Sequence, residues 1–458
     1  MYLLENTGGR IIKNIRKTFF NLIFILLIIS GLTSCTLVSG TETYLKPPKL
    51  NEEHEKIYNA LIDAEGSRIS LRYPKSGSYL SAFVVNNIDN ESSDEAIVFY
   101  DKTNFSGSDT STLRINFLDQ QEGKWKSMYD LSLNGTEIEK VFISELGPDK
   151  IKSVIVCTGN QTEKNACMFF YDNAKSIDSQ PLGIYSHIDV CDINNDGVNE
   201  IMMLNTTPEG NTAHLKWLDN EHTLVSGHEI KLDDNSKEIS QLLYGQTNNK
   251  STAVYIDSYI NTNTIMTEIL TAVSIENELC LRKSIIENYD DSSINKTTRQ
   301  SSLISRDIDN DGKIEIPVNS TFRGYEEKPQ TEQVPMTNWY IYEDNMLIRK
   351  YSGYYSITNG YAFMLPSKWY DNVTVKLEND DVIFCRYNEL PENQTELLRI
   401  CVTDSLSATQ LKKEKKYSRY EQLYSSGDMV YLACIPDAPK EPLIPTISEI
   451  QFCFKIIS

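Results

Sequence analysis

Three nine-residue stretches place side-chain oxygens at alternate positions, the spacing that lets one loop converge on a hard divalent cation. The fullest is DIDNDGKIE, with Asp307, Asp309 and Asp311 alternating, Gly312 for a sharp turn, the Lys313 carbonyl as a further donor and Glu315 closing the shell. DINNDGVNE repeats it through Asp192, Asn194, Asp196, the Val198 carbonyl and Glu200. One neutral amide there replaces a carboxylate, so weaker binding is expected. NIDNESSDE keeps the register with Asn87, Asp89, Glu91 and Glu95 but has Ser92 where the others have glycine, which leaves metal binding by that loop open. All three run directly into apolar stretches of strand character and stop at the ninth position, so none is a complete EF-hand loop.

Other chemistry finds less support. Of five histidines, His187, His214, His222 and His228 fall close together in sequence, but at no compact ligand spacing, and no H-E-x-x-H, G-x-S-x-G, Walker or Rossmann pattern occurs. No catalytic residue is therefore assigned. Paired carboxylates for glycoside cleavage would converge only in three dimensions. Beyond Cys35 there are eight cysteines, most inside apolar runs such as Val154–Cys157 and Ile400–Val402, and no C-x-x-C pair. They read as buried thiols or as disulfide partners.

The elements that would hold these loops are short β-type runs between residues 79 and 353, separated by Asn, Asp, Gly and Ser clusters. They group into about five units of four strands, with five to seven possible; the fifth begins at Leu303–Ser305. Units of some 50–60 residues match the scale of propeller blades. The fold class is thus mainly β, a β-propeller or, failing rotational repetition, a multi-strand sandwich. The acidic loop recurs in the first, third and fifth units, between each unit's first and second strands. With this spacing directly before an apolar strand, the loops resemble the FG-GAP or VCBS repeats of integrin-alpha-type propellers. That resemblance implies structural Ca2+ in the loops, bracing the first two strands of a blade.

Flanking segments supply location. Arg10, Lys13, Arg16 and Lys17 precede an apolar run to Ile29 and then Leu32-Thr33-Ser34-Cys35. This is export-signal logic, and the ending resembles a bacterial lipobox. The resemblance implies cleavage after residue 34 and lipidation of Cys35, with acyl chains such as palmitate, on the extracytoplasmic face of the cell membrane. Residues 35–50 then form a tether. Asn51 caps an expected helix carrying Ile57, Tyr58, Leu61 and Ile62, in a lead-in of residues 51–78. A separate small α+β domain is expected over 354–458, with a basic helix near Lys412, Lys413, Lys415 and Lys416. A terminal helix there opens on the capping-box pattern Thr446-Ile447-Ser448-Glu449 and carries Ile447, Ile450, Phe454 and Ile457 on one face. The run YAFMLPSKWY faintly resembles PsbP-type domains, which implies fold alone.

Composition bounds the function. The chain has 458 residues, 40% of them apolar, enough for real cores. Its 44 basic residues face 64 acidic ones, a net charge of −20 that becomes −23 once residues 1–34 are removed. A body of that charge excludes a nucleic-acid partner. The sequence therefore reads as a surface lipoprotein with a calcium-stabilised propeller, a binding or scaffolding module for an envelope protein or glycan. The alternative is a hydrolase or lyase of extracellular polymer, with its site at the propeller mouth. Nothing in the sequence points to an oligomer.

Overall fold

A computed structural model describes residues 50–457 except 90, 103–111, 173–174, 248–250, 276–277, 285, 287–293, 415 and 439. The export signal, Cys35, the tether to residue 49 and Lys415 lie outside the described residues. The chain is mainly β, in several antiparallel sheets. It divides into two compact units: among the described residues, 50–67 with 118–127 form one, and 68–117 with 128–457 the other. In the first, α1 (Glu52–Glu65) starts where the Asn51 side chain accepts the His54 amide at 2.7 Å, has three acids in its opening turn, and stops at Gly66. It buries Ile57 and Leu61.

The sheets follow one another along the chain. The first holds β1 (Ile69–Leu71) and β2 (Phe83–Asn86), both paired with β3 (Glu95–Lys102), then β4 (Leu113–Gln121) and β5 (Lys124–Ser132). The second is a meander of β6 (Glu137–Leu146), β7 (Ile151–Gly159), β8 (Lys164–Asp172) and β9 (Ser176–Ile184). The third runs β10 (His187–Cys191), β11 (Glu200–Thr207) and β12 (Gly210–Leu218), with β13 (Leu224–Ser226) and β14 (Ile230–Lys231) both on β12. The fourth runs β15 (Glu238–Gln246), β16 (Thr252–Asn261), β17 (Thr264–Ile275) and β18 (Glu278–Lys283). A short α2 (Ile294–Thr297) leads to β19 (Arg299–Gln300), which returns to pair with β17. The fifth sheet is β20 (Ile316–Thr321), β21 (Pro335–Glu343), β22 (Met346–Ser356) and β23 (Tyr361–Met364).

Period-2 alternation explains why β3, β7, β11 and β16 carry long apolar runs: they are buried on both faces. In β7, Val154 and Val156 join the first sheet's Ile97, Phe99 and Phe117, whereas Ile155 and Cys157 join Ile201 and Met203 of the third. In β11 the other face, Met202 and Leu204, packs with Val254 and Ile256 of β16. Ala253 and Tyr255 of β16 in turn meet Ile316 and Tyr342 of the fifth sheet. Each consecutive pair of sheets thus shares one apolar layer.

Two expectations are corrected here. Leu303–Ser305 is not a strand; only a bridge forms, Arg306 with Glu315, through backbone bonds of 3.1 and 2.9 Å. Ser305 is drawn away because its amide and hydroxyl both bond the Asp257 carboxylate, at 2.8 and 2.9 Å. The boundary expected at 353/354 falls inside β22, which pairs with β21 and β23 at once. Gly353 permits this, since a Cβ there would lie 2.2 Å from the Phe363 carbonyl oxygen.

The remaining sheet has β24 (Val373–Glu378), β25 (Asp381–Arg386), β26 (Thr395–Asp404), β27 (Arg419–Ser426) and β28 (Met429–Ile435), with β28 between β26 and β27. The basic stretch forms α3 (Ser405–Glu414). Thr446 and Glu449 make the expected capping box of α4 (Ile447–Cys453). That helix ends before Phe454, which enters β29 (Phe454–Ile456) and pairs along the edge of β23. An unpaired edge strand demands such a cover. Phe322 and Trp339 share one core with Phe363, Trp369 and Phe384, so no separate domain begins at 354. The eight described cysteines are free thiols, and Cys401 and Cys434 approach to 3.8 Å.

Candidate metal centre

Each acidic loop leads directly into a strand, β3 after 87–95, β11 after 192–200 and β20 after 307–315, and all three share one clamp. The second-position amide donates to the ninth-position carboxylate: Ile88 to Glu95 at 2.8 Å, Ile193 to Glu200 at 3.0 Å, Ile308 to Glu315 at 2.8 Å. The two glycine loops match further. Asp192 accepts the Asp196 and Gly197 amides at 3.1 and 2.8 Å, and Asp307 accepts those of Asp311 and Gly312 at the same distances. Asn195 and Asn310 both have φ of 60°, and Gly197 and Gly312 have 87° and 86°. The glycine is required because the chain turns left-handed a second time, two residues after the left-handed asparagine.

The loops also sit where neighbouring sheets meet. Asn199 donates to Ser144 at 2.9 Å and bridges to Leu146 on β6, while Thr252 of β16 reaches the Asp192 carbonyl at 3.3 Å. Gln246 of β15 donates to the Gly312 carbonyl at 2.8 Å. In the first sheet, Lys152 of β7 bonds the Asn87 carbonyl and side-chain oxygens at 2.9 and 3.0 Å. There Asn87 donates to the Glu91 carbonyl, and the Glu91 amide donates to Asp89 at 3.0 Å.

In the fifth sheet Asp307, Asp309 and Glu315 bring carboxylate oxygens within 4.8 Å of one another. Lys350, which the sequence reading did not single out, reaches the same place: its Nζ lies 2.8 Å from Asp309, 2.7 Å from Asp311 and 2.7 Å from Glu315. The Tyr351 hydroxyl donates to Asp309 at 2.6 Å. Lys350 and Tyr351 also line a cavity of about 460 Å³ together with Met364, Leu365 and Pro366. The 192–200 loop has Asn194 in the place of Asp309, and its Nδ2 donates to Asp196 at 2.9 Å. Among the described residues no ion pair reaches Asp192, Asp196 or Glu200.

Burial sets the electrostatics. It pushes the Glu200 carboxyl up to about 8, with Asp196 and Asp192 adding to the rise. Glu315 is likewise pushed to about 7 by burial, against the pull of Lys350. Burial also works to raise Asp309, but Lys350 and Tyr351 outweigh it and hold that carboxyl below its usual range. In the 192–200 loop the donors are all oxygens and the closing carboxylate is costly to ionise alone, which is the chemistry of a hard divalent cation. Among the described residues, however, Asp192, Asp196 and Glu200 do not gather within 4.8 Å as the fifth-sheet carboxylates do. In the fifth sheet the same donors already face an ammonium.

The histidines do not gather. His187 lies on β10 and His214 on β12, both held below their usual range by burial, and His222 pairs with Asp149 at 2.8 Å.

No protein-family model matches the chain, and no curated protein matches it either. A solved structure, the crystal structure of a protein of unknown function from Dyadobacter fermentans, aligns over 80% of this chain and 98% of its own length. Its identity is 8% and its TM-score 0.26, a similarity too low to carry an argument.

Proposed function

We propose that the chain is a membrane-anchored surface lipoprotein whose successive sheets are the blades of an FG-GAP-like propeller, about five in number. In this reading Ca2+ braces the blades, and the body serves as a binding or scaffolding module for an envelope protein or glycan. The observation that carries the reading is the placement of acidic loops with one hydrogen-bond scheme at the contacts between consecutive sheets. An ion there would tie the first hairpin of one sheet to the next. Asp192, Asn194, Asp196, the Val198 carbonyl and Glu200 would hold it in the third sheet. Asp307, Asp309, Asp311, the Lys313 carbonyl and Glu315 are the corresponding set in the fifth. The ion's contribution is charge neutralisation of buried carboxylates, not catalysis.

Saturating Ca2+ at about 100 times its dissociation constant is expected to add about 2.7 kcal/mol to stability. Calorimetric melting in Ca2+ and in chelator checks this, and an Asp196→Ala/Asp309→Ala variant is expected to lose most of the gain. Equal melting temperatures in both buffers would end the calcium reading. The anchor is tested separately. A Cys35→Ala protein is expected to differ from the parent in size or in membrane association; keeping both would refute lipidation.

A further inference from the structure

We infer that the Lys350 ammonium is the resident cation of the Asp307–Glu315 loop, so that a divalent ion enters that loop only by displacing it. This rests on the calcium reading above and divides it between the two glycine loops: the Asp192–Glu200 loop carries the response to Ca2+, and the fifth-sheet loop is closed without metal.

Backbone geometry carries the inference. Along β21 and β22 the register pairs Trp339 with Tyr351 and Tyr340 with Arg349, so Lys350 is the extra residue of a β-bulge. Bulges re-aim a side chain out of the regular alternation. Here the re-aimed chain ends among three carboxylates at 2.7–2.8 Å. The side chain is 17% exposed and Glu315 is fully buried, so the contact is no loose surface pair. Tyr351, the next residue, donates to the same Asp309 oxygen at 2.6 Å. In the loop with the same backbone, at 192–200, no ammonium pairs with Asp192, Asp196 or Glu200 among the described residues. An ion and an ammonium cannot share one position 2.7 Å from the same oxygens, so occupancy is competitive.

The test counts Ca2+ bound to the full-length chain by equilibrium dialysis, with melting in chelator alongside. Lys350→Met is expected to bind one more ion per chain than the parent. In chelator it should melt lower by roughly 5–10 °C, as breaking a partly buried cluster demands, and Ca2+ should restore it. Asp309→Asn in the parent is expected to leave the Ca2+ count unchanged, which keeps the inference testable should Lys350→Met fold poorly. An unchanged ion count in Lys350→Met, or loss of one ion in Asp309→Asn, overturns the inference. A parent that binds no Ca2+, beside a Lys350→Met protein that gains an ion, would instead overturn the calcium reading of the 192–200 loop and leave Lys350 as inferred.

Discussion

Arg299→Met is expected to cost about 3–5 kcal/mol of unfolding free energy, because it leaves the Asp257 carboxylate buried without its counter-ion. Both side chains are fully enclosed, with Arg299 Nη2 2.9 Å from Asp257. The guanidinium also donates to Thr267 and Ser305, at 2.8 Å each. Gln241 completes the network, giving its amide to Asp257 at 2.9 Å and to the Ser305 carbonyl at 2.8 Å. Strands β15, β16, β17 and β19 are thereby tied to the segment that enters the fifth-sheet loop. Asp257→Asn combined with Arg299→Met should recover much of the loss, since neither charge is then stranded.

The same pair predicts a pH dependence. Burial works against the Asp257 charge, but Arg299, Thr267 and the Ser305 amide outweigh it and hold the carboxyl below its usual range. A depressed carboxyl stabilises the fold above its unfolded value of about 3.9 and loses that contribution as pH falls toward the folded value. Urea melts of parent and double variant between neutral pH and pH 3 should therefore converge as acid is added. A single Arg299→Met cost under about 1 kcal/mol, the range of an exposed pair, would refute the buried network.

Trp369→Ala is expected to cost about 3–5 kcal/mol, the range for emptying a large buried ring. Its indole lies 5.9 Å from Phe363 and 5.3 Å from Phe384, and its N–H donates to the Leu443 carbonyl at 2.7 Å. Because that core joins the fifth sheet to the last one, the variant should melt in a single transition at lower temperature. Calorimetry showing an early separate transition, with the main one unmoved, would mean that the last sheet folds by itself. Trp369→Phe should cost less, about 1–3 kcal/mol, chiefly from the unpaired Leu443 carbonyl.

Much of this was legible from residue order. Strand runs, the loop register and the Asn51 and Thr446 caps depend on neighbours a few residues away, so local pattern suffices to find them. The structure gives Asp192 and Asp307 the same backbone amides at the same distances, as their shared register requires. Where the reading failed, a distant partner had decided. Ser305 is no strand because of Asp257, 48 residues earlier in the chain. Phe454 leaves its helical face because the edge of β23 needed a partner. The boundary at 353/354 dissolves because one strand serves two neighbours across Gly353.

The acid spacing by itself determined where the acidic loops lie and which residues make their shared backbone contacts, since those contacts run only a few residues along a tight turn. Which loop's carboxylates gather around a lysine was decided only by tertiary structure. Lys350 lies 35 residues beyond Glu315, and no local pattern links them. A bulge in β22 delivers its charge, and a bulge is a property of two paired strands, not of either one.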